Sequence, residues 1–441
     1  MQPNILHVHA SCHNVGDYLL VSQLRGALRG ALASEVQFTS ITPRREGALD
    51  PREWIDQTGL LGGRLEPGME SRLSQASLAV IGGGDLLTGR ASFRLFRVLA
   101  ALGLPLYFLG VGVNMQSVRP RMRRPLLREL RKARLIVTRE EASTRALTEA
   151  GLSNVRSGVD LSVLLHAKEP ARGVVTASSP CVAVSLRAPE RNTARWGQTE
   201  YQAIASALDR LIREDGARVE LVSMTGPVGA AGNDDIPVLR TVRDLMDPTL
   251  HDSTSVDAVP QEPEAAVQYL ARFDVLVGMR LHALALASLA GVPVVPFAYS
   301  PKIDSWWAQF GLGRSSGIPE SGDIGEGSDV HQSRGTDAIG GSDVVRGPLA
   351  PGEWSSPERI VEAVRLALHR SPNERDVISR SYARQDATAR AHISEAAALM
   401  SEDLQSIGSG SNSVRGLGGY RLQTRCIEPL RDVLERILAR L

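Results

Sequence analysis

VGMRLHALALASLAGVPVVPFAYSPK, Val277 to Lys302, decides the fold. The apolar run Val275–Val277 leads into an Ala/Leu-rich segment of helical spacing, Ala283–Ala290, and after Gly291 and Pro293 a second β-branched run, Val294–Phe297, follows. Strand, helix and strand in so short a stretch form a βαβ unit, whose strands must run parallel. From Leu276 to Tyr299 the stretch approaches the roughly 20 apolar residues of a membrane span. Arg280, His282 and Pro293 interrupt it, so no transmembrane segment is predicted. Parallel strands put their carboxyl ends on one edge, and here that edge receives Arg280, His282, Tyr299 and Lys302. Three nitrogen-bearing side chains at adjacent strand ends suit one multiply charged anion. A lone histidine at such a place is more often structural. The helix start, the flanking arginine and the later lysine favour the anion.

The same alternation extends outward in both directions. Ahead of it lie strands Ile5–His9, Leu78–Ile81, Leu106–Leu109 and Leu135–Val137, with helices over Asp17–Leu32, Phe93–Leu102, Leu126–Arg131 and Glu140–Glu149. A second series comprises strands Val182–Leu186, Val219–Val222, Val275–Val277 and Val294–Phe297, with helices Tyr201–Arg213, Glu264–Ala271 and Ala283–Ala290. At 441 residues the chain exceeds what one core usually serves. The polar segment AKEPARGVVTASSP divides it. The prediction is an α/β protein of two Rossmann-like domains facing a central cleft. They span residues 1–168 and 179–370.

Residues 311–352, rich in Gly, Ser and Asp, are too polar to bury and read as a surface insertion, a lid or a plain loop. Residues 371–441 read as C-terminal helices. The last, after GSGSNS, sets Ile427, Leu430, Val433, Leu434, Ile437, Leu438 and Leu441 at helical spacing among arginines. Such a helix can lie on an anionic membrane; docking on its own protein or a second subunit, as a homo-oligomer, is the more ordinary use.

A formal net charge of +1 leaves no global field suited to nucleic acid. Cys12, Cys181 and Cys426 lie far apart without a CxxC pair, which fits a reducing compartment and no structural metal. MQPNILHVHA lacks a cationic start followed by a long apolar run and reads as a first strand, not a signal peptide.

Four junctions carry candidate chemistry. In HNVGDYLL, Asn14, Gly16 and Asp17 stand where the first strand turns into a helix; Gly16 permits a tight approach, and Asp17 serves either the N-cap or the chemistry. In VIGGGDLL, Gly83 and Gly84 let a phosphate or sugar approach the main chain, although such turns also serve packing; GVGVN, Gly110 to Asn114, carries the same ambiguity. In LIVTREEAS, Arg139 follows a strand directly, where its fork can hold a carboxylate or phosphate, unless Glu140 and Glu141 neutralise it. Ser185 and Arg187 of VSLR stand at the corresponding place in the second series.

NVGD, GGG, GVG, TRE, GVDLSVLL, VSLR and GMRLHALALASLAGVPVVPFAYSPK, in this order, resemble the polysaccharide pyruvyl transferase family. The resemblance implies a glycosyltransferase-B-like fold and transfer of pyruvate from phosphoenolpyruvate to sugar hydroxyls as a ketal. It implies Asp17 as general base, and Arg139, His282 and Lys302 at the donor, with Arg187 a weaker cleft residue. No cofactor follows from it: phosphoenolpyruvate is the donor substrate, and the partner is a sugar or lipid-linked glycan. A cytoplasmic location at the inner face of the membrane is implied in the same way. Chemistry asks for the same groups, since the donor's carboxylate and phosphate need several cations, here Arg139, Arg280, His282 and Lys302. His282 as acid and Asp17 as base complete the scheme. The alternatives are a nucleotide-sugar glycosyltransferase of the same architecture, against which no acidic pair for a ribose is evident, and a degenerate sugar-binding protein.

Overall fold

A computed structural model of the chain describes residues 2–10, 14–42, 54–61, 69–84, 90–113, 115, 118–165, 179–188, 197–225, 234–310, 348–350, 352–369 and 372–408. The first domain contains β1 (Asn4–Val8), α1 (Val15–Ala31), β2 (Gln37–Thr42), β3 (Trp54–Asp56), α2 (Gln57–Leu61), α3 (Met69–Ser74) and β4 (Ala76–Gly84). It continues through α4 (Arg90–Ala101), β5 (Leu106–Val111), α5 (Pro120–Leu130), β6 (Leu135–Thr138), α6 (Glu141–Glu149) and β7 (Val155–Arg156), then a 3-10 turn over Leu161–Leu165. The second contains β8 (Cys181–Ser185), α7 (Gln198–Asp215), β9 (Arg218–Ser223), α8 (Ile236–Leu245), β10 (Thr254–Ala258), α9 (Pro263–Leu270) and β11 (Val275–Gly278). After it come α10 (Leu281–Leu289), β12 (Val294–Pro296), α11 (Pro301–Ala308), α12 (Pro357–Leu368) and the long α13 (Pro372–Gly408).

All ladders within both sheets are parallel, with strand orders β3-β2-β1-β4-β5-β6-β7 and β10-β9-β8-β11-β12. These are the two Rossmann-like domains that the alternation predicts. Strand alternation sorts the core into layers. In the first sheet Leu6, Ala79, Ile81 and Phe108 face one cluster and Ile5, Leu78, Val80 and Leu109 the other. In the second, Val182, Val184 and Val277 face outward to α7 and α12, while Ala183, Leu276 and Val294 face inward. The two inward faces, with α1, α10, α11 and α13 between them, form one continuous apolar cluster that crosses the domain boundary. Each fully buried Leu or Ile in it contributes roughly 1.5–3 kcal/mol.

Helix α10 is buried along its whole apolar length, Ala283 to Leu289. That explains why its sequence approaches a membrane span in character, since a helix apolar on all sides needs apolar surroundings, here both domains. No helix among the described residues is long and apolar enough to cross a membrane.

Several boundaries differ from the sequence-based ones. α5 begins at Pro120, which fits the first helical position where no N–H partner is lost, and it carries Pro125 inside it at the cost of the bond to the Arg121 carbonyl. β2, β3 and β10 lack a clear apolar signature, and the short amphipathic α8, which buries Val238, Leu239 and Val242, is a further element beyond the sequence reading. The end of the 311–352 segment is packed, not exposed: Leu349 is 4% exposed and bridges Phe297 beside β12. The rest of that segment, the interdomain linker and the helix over Ile427–Leu441 lie outside the described residues. Helix α13 packs on both domains: the Tyr382 hydroxyl donates to the Ala285 carbonyl in α10, while the Tyr107 hydroxyl of β5 donates to Asp403 at 2.5 Å.

Candidate functional site

Open parallel sheets bind ligands beyond the carboxyl ends of their strands, where the strand order reverses. The reversals fall between β1 and β4 in the first sheet and between β8 and β11 in the second. Asn14, Gly16, Asp17, Gly83 and Gly84 sit at the first reversal and Arg187, Arg280 and His282 at the second, while Arg139 follows β6 and Lys302 follows β12.

At the first reversal, Asn14 is the N-cap of α1, and its side-chain oxygen accepts from the Asp17 N–H at 2.8 Å. Its amide donates back to the Asp17 carboxylate at 2.6 Å. Asp17 is therefore not the cap; it stands in the first turn, its carboxylate held by the residue that is. The turn is also docked on the second domain: Asn14 bridges Thr225, and the Val15 N–H donates to the Met224 carbonyl at 2.9 Å. Gly16 meets His282, and a Cβ at position 16 would fall 1.9 Å from the imidazole Nδ1.

The glycine run divides its duties. Gly82 lies under the Leu109 carbonyl and Gly83, at φ 76°, against Leu20 of α1, so both serve packing. Gly84, at φ 121°, is buried at the end of β4 and has no atom among the described residues within 4 Å of where a side chain would stand. In GVG, Gly110 fits beneath Leu161.

Arg139 follows β6 directly and is only 6% exposed. Its Nε donates to Glu140 at 2.7 Å, and its carbonyl accepts from Gln309 of α11 across the boundary at 3.2 Å. After β7 stands Asp160, 5% exposed, one oxygen of which caps the Leu161–Leu165 turn by accepting from the Ser162 N–H at 3.0 Å. Its other oxygen faces His282 Nε2 at 3.9 Å. Neither of these two buried atoms has a hydrogen-bond partner among the described residues. Burial alone would raise the Asp160 carboxyl, but His282 and then Arg139 outweigh it and hold it well below the usual carboxylate range. An ionised carboxylate thus joins Arg139 of the first domain to His282 of the second.

In the second domain β11 approaches β8 so closely that a Cβ on Gly278 would fall 2.2 Å from the Ser185 carbonyl. That contact sets the Arg280–His282 turn beside Arg187. Arg187 donates to the Tyr299 hydroxyl at 3.0 Å and lies 5.2 Å from the centre of its ring. Arg280 precedes α10 as its N-cap, and its guanidinium is forked onto the fully buried Asp235, with Nε at 3.0 and 3.1 Å from the two oxygens. Desolvation pushes the Asp235 carboxyl up even with Arg280 beside it. The Arg280 charge is thus already offset within the fold, unlike the role that the sequence assigned to it. Lys302 is exposed in the first turn of α11. Besides Asp160 and His282, the buried oxygens of Ser185 and Ser300, at the ends of β8 and β12, have no partner among the described residues. Each such atom costs about 1–3 kcal/mol, and here they lie along the facing carboxyl edges.

The structure therefore brings Asn14, Gly16, Asp17, Arg139 and His282 into one interdomain neighbourhood and groups Arg187 and Arg280 at the edge of the second sheet. Asp160 and Asp235 escaped prediction. Asp160 was legible only as the single acidic residue within the apolar GVDLSVLL, and Asp235 as an acid ahead of Ile-Pro, an ordinary helix start.

Two parallel α/β domains closing on a site of this kind define the glycosyltransferase-B class of fold. Solved structures share it: a Listeria monocytogenes protein described as a UDP-N-acetylglucosamine 2-epimerase has a TM-score of 0.53 at 10% identity, over 86% of this chain and 91% of that one. The UDP-N-acetylglucosamine 2-epimerase of Neisseria meningitidis, bound to UDP-GlcNAc, gives 0.51 at 10% identity, over 91% and 99%. An S. aureus structure with UDP gives 0.51 at 11% identity, over 87% and 91%. At such identities the likeness concerns the fold alone. No curated protein sequence matches the chain. The sequence profile of the polysaccharide pyruvyl transferases matches residues 14–301, from the cap of α1 to the start of α11, and the chain belongs to that family of transferases.

Proposed function

We propose that the protein transfers a pyruvyl group from phosphoenolpyruvate to a sugar of a cell-surface polysaccharide precursor, closing a ketal on two hydroxyls and releasing phosphate. The meeting of Arg139 and His282 from opposite domains at the ionised Asp160, in a member of this family, is the observation that supports the reading. Arg139, Lys302 and Arg187 offset the carboxylate and phosphate of the donor. Arg280, forked onto Asp235, fixes the turn that presents His282.

His282 gives its proton to C3 of the donor, which makes C2 electrophilic. Asp17, steadied by the Asn14 amide, removes the proton of the attacking hydroxyl. The second hydroxyl then displaces phosphate, its proton leaving with the departing group. Asp160 orients the imidazole from the first domain. The acceptor is a lipid- or nucleotide-linked glycan at the cytoplasmic face of the membrane.

The test is incubation with phosphoenolpyruvate and a panel of free and lipid-linked disaccharides. Acceptor-dependent phosphate release, with the product heavier by one pyruvate ketal, is expected. Phosphate release that ignores the acceptor, or nucleoside diphosphate release from nucleotide sugars in its place, overturns the proposal.

A further inference from the structure

Between Arg90 and Arg134 the sequence holds ten arginines and one lysine against a single acidic residue, Glu129, although the whole chain carries a net charge of only +1. The stretch folds into α4, β5 and α5, and the two helices pack beside each other on the face of the first sheet that looks away from the second domain. Leu126 and Leu130 turn α5 inward, which leaves Arg119, Arg121, Arg124, Arg128, Arg131 and Lys132 exposed. Glu129 is buried and serves Lys132 at 2.6 Å and Arg128 at 3.6 Å. Arg119, Arg121 and Arg124 have no carboxylate within 4.0 Å among the described residues. Arg124, Arg128 and Arg131 edge an open groove of about 500 Å³ floored by Pro125 and Leu127.

Like charges three and four residues apart on a helix repel. Arg119, Arg121 and Arg124 meet no carboxylate among the described residues, which leaves them open to an offsetting charge from a partner. A small anion needs donors that converge, whereas these fan along the outer face of a helix. Nucleic-acid strands are gripped by cations interleaved with stacking rings, and no aromatic residue occurs from Gly110 to Arg134. A plane of acidic head groups fits a row of long cationic side chains whose stems lie over apolar Pro125 and Leu127.

We propose that the exposed face of α5 docks the protein on a bilayer rich in acidic phospholipid. α5 begins at the carboxyl edge of the first sheet, the edge that carries the candidate site, so a bilayer seated there lies beside the mouth of the acceptor-side domain. The docking does not depend on the reaction proposed above.

Sedimentation of the full chain with vesicles tests it. Binding to equal parts phosphatidylglycerol and phosphatidylcholine, none to phosphatidylcholine alone, and weakening by salt are expected. Each basic side chain at such a surface is worth about fivefold, so R121Q/R124Q/R128Q binds about a hundredfold more weakly at unchanged melting temperature. The milder R121Q/R124Q, about twenty-five-fold weaker, serves if the triple variant melts early. Absence of binding to the acidic vesicles overturns the proposal, as does binding that the substitutions leave unchanged. Tighter retention of a single-stranded or duplex oligonucleotide, lost in the same variants, overturns it in favour of nucleic acid.

Discussion

The α-carbon of Gly16 lies against the imidazole of His282 so closely that even a methyl group there would fall 1.9 Å from Nδ1. One residue in the first turn of α1 therefore sets how near the second domain's histidine comes to Asp17 and Asp160. Only glycine leaves that room.

Gly16→Ala forces the ring or the domain away. Overpacking of this kind costs about 1–3 kcal/mol, visible as a lower denaturant midpoint, and turnover falls by at least about a hundredfold, as a misplaced reacting group implies. Combining it with His282→Ala restores most of the lost stability and none of the activity. A strictly additive double mutant counts against the contact.

Asp160→Asn keeps the shape and removes the charge between Arg139 and His282. Turnover drops by about two powers of ten while donor affinity, read by calorimetry, changes little. The Asp160 carboxyl is held low in the fold, so its stabilisation is complete above the ordinary carboxylate pKa near 3.9 and is lost as acid protonates it below that. Denaturation of the Asn variant is correspondingly flatter below about pH 4. Equal acid profiles refute the linkage.

Asp17→Asn leaves phosphoenolpyruvate binding intact and lowers turnover by roughly two to four powers of ten. His282→Gln and Lys302→Ala weaken donor affinity as well. Calorimetry on the three variants separates the roles, and loss of donor binding in Asp17→Asn removes the base assignment.

Arg280→Met strands the Asp235 carboxylate, which is 0% exposed, and costs about 3–5 kcal/mol in chemical denaturation. Adding Asp235→Asn recovers much of that loss. A double variant no more stable than R280M shows that the pair is not coupled.

Below neutrality a different pair dominates. His9 in the first domain is held at about 3, chiefly by burial and then by Arg25, and His7 beside it is lowered for the same reasons. A histidine depressed in the fold stabilises it above the unfolded pKa near 6.5 and loses that contribution as pH falls toward the folded value. At pH 5 the loss for His9 alone is about 2 kcal/mol. Urea midpoints between pH 7 and 5 fall accordingly, and His9→Gln falls less steeply.

The sequence made the βαβ units legible because their strands are buried on both faces and read as continuous apolar runs, as in Val275–Val277 and Val294–Phe297. β2 escaped because Thr39, Ser40 and Thr42 are buried as polar residues. Thr39 meets Asn4, and Ser40 meets His9 and Arg25. β10, mostly exposed at the sheet edge, lacks an apolar signal. In the site, the residues at strand ends could be found by position along the chain. Their partners could not: Asp160 for His282 and the His282 ring for Gly16 are set by closure of one domain on the other, and Asp235 for Arg280 by long-range packing within the second domain, none of which leaves a local periodicity to read.

Helix α13 belongs to the second half of the chain by order and to both halves by packing, with Ala389, Ile393 and Met400 in the same apolar cluster as Leu109, Val137 and Leu161. The lobes are thus distinct as bodies but interleaved as text. A gene cut after residue 371 would strip the floor from the lobe encoded first, and no single scission yields two halves that each own a finished interior.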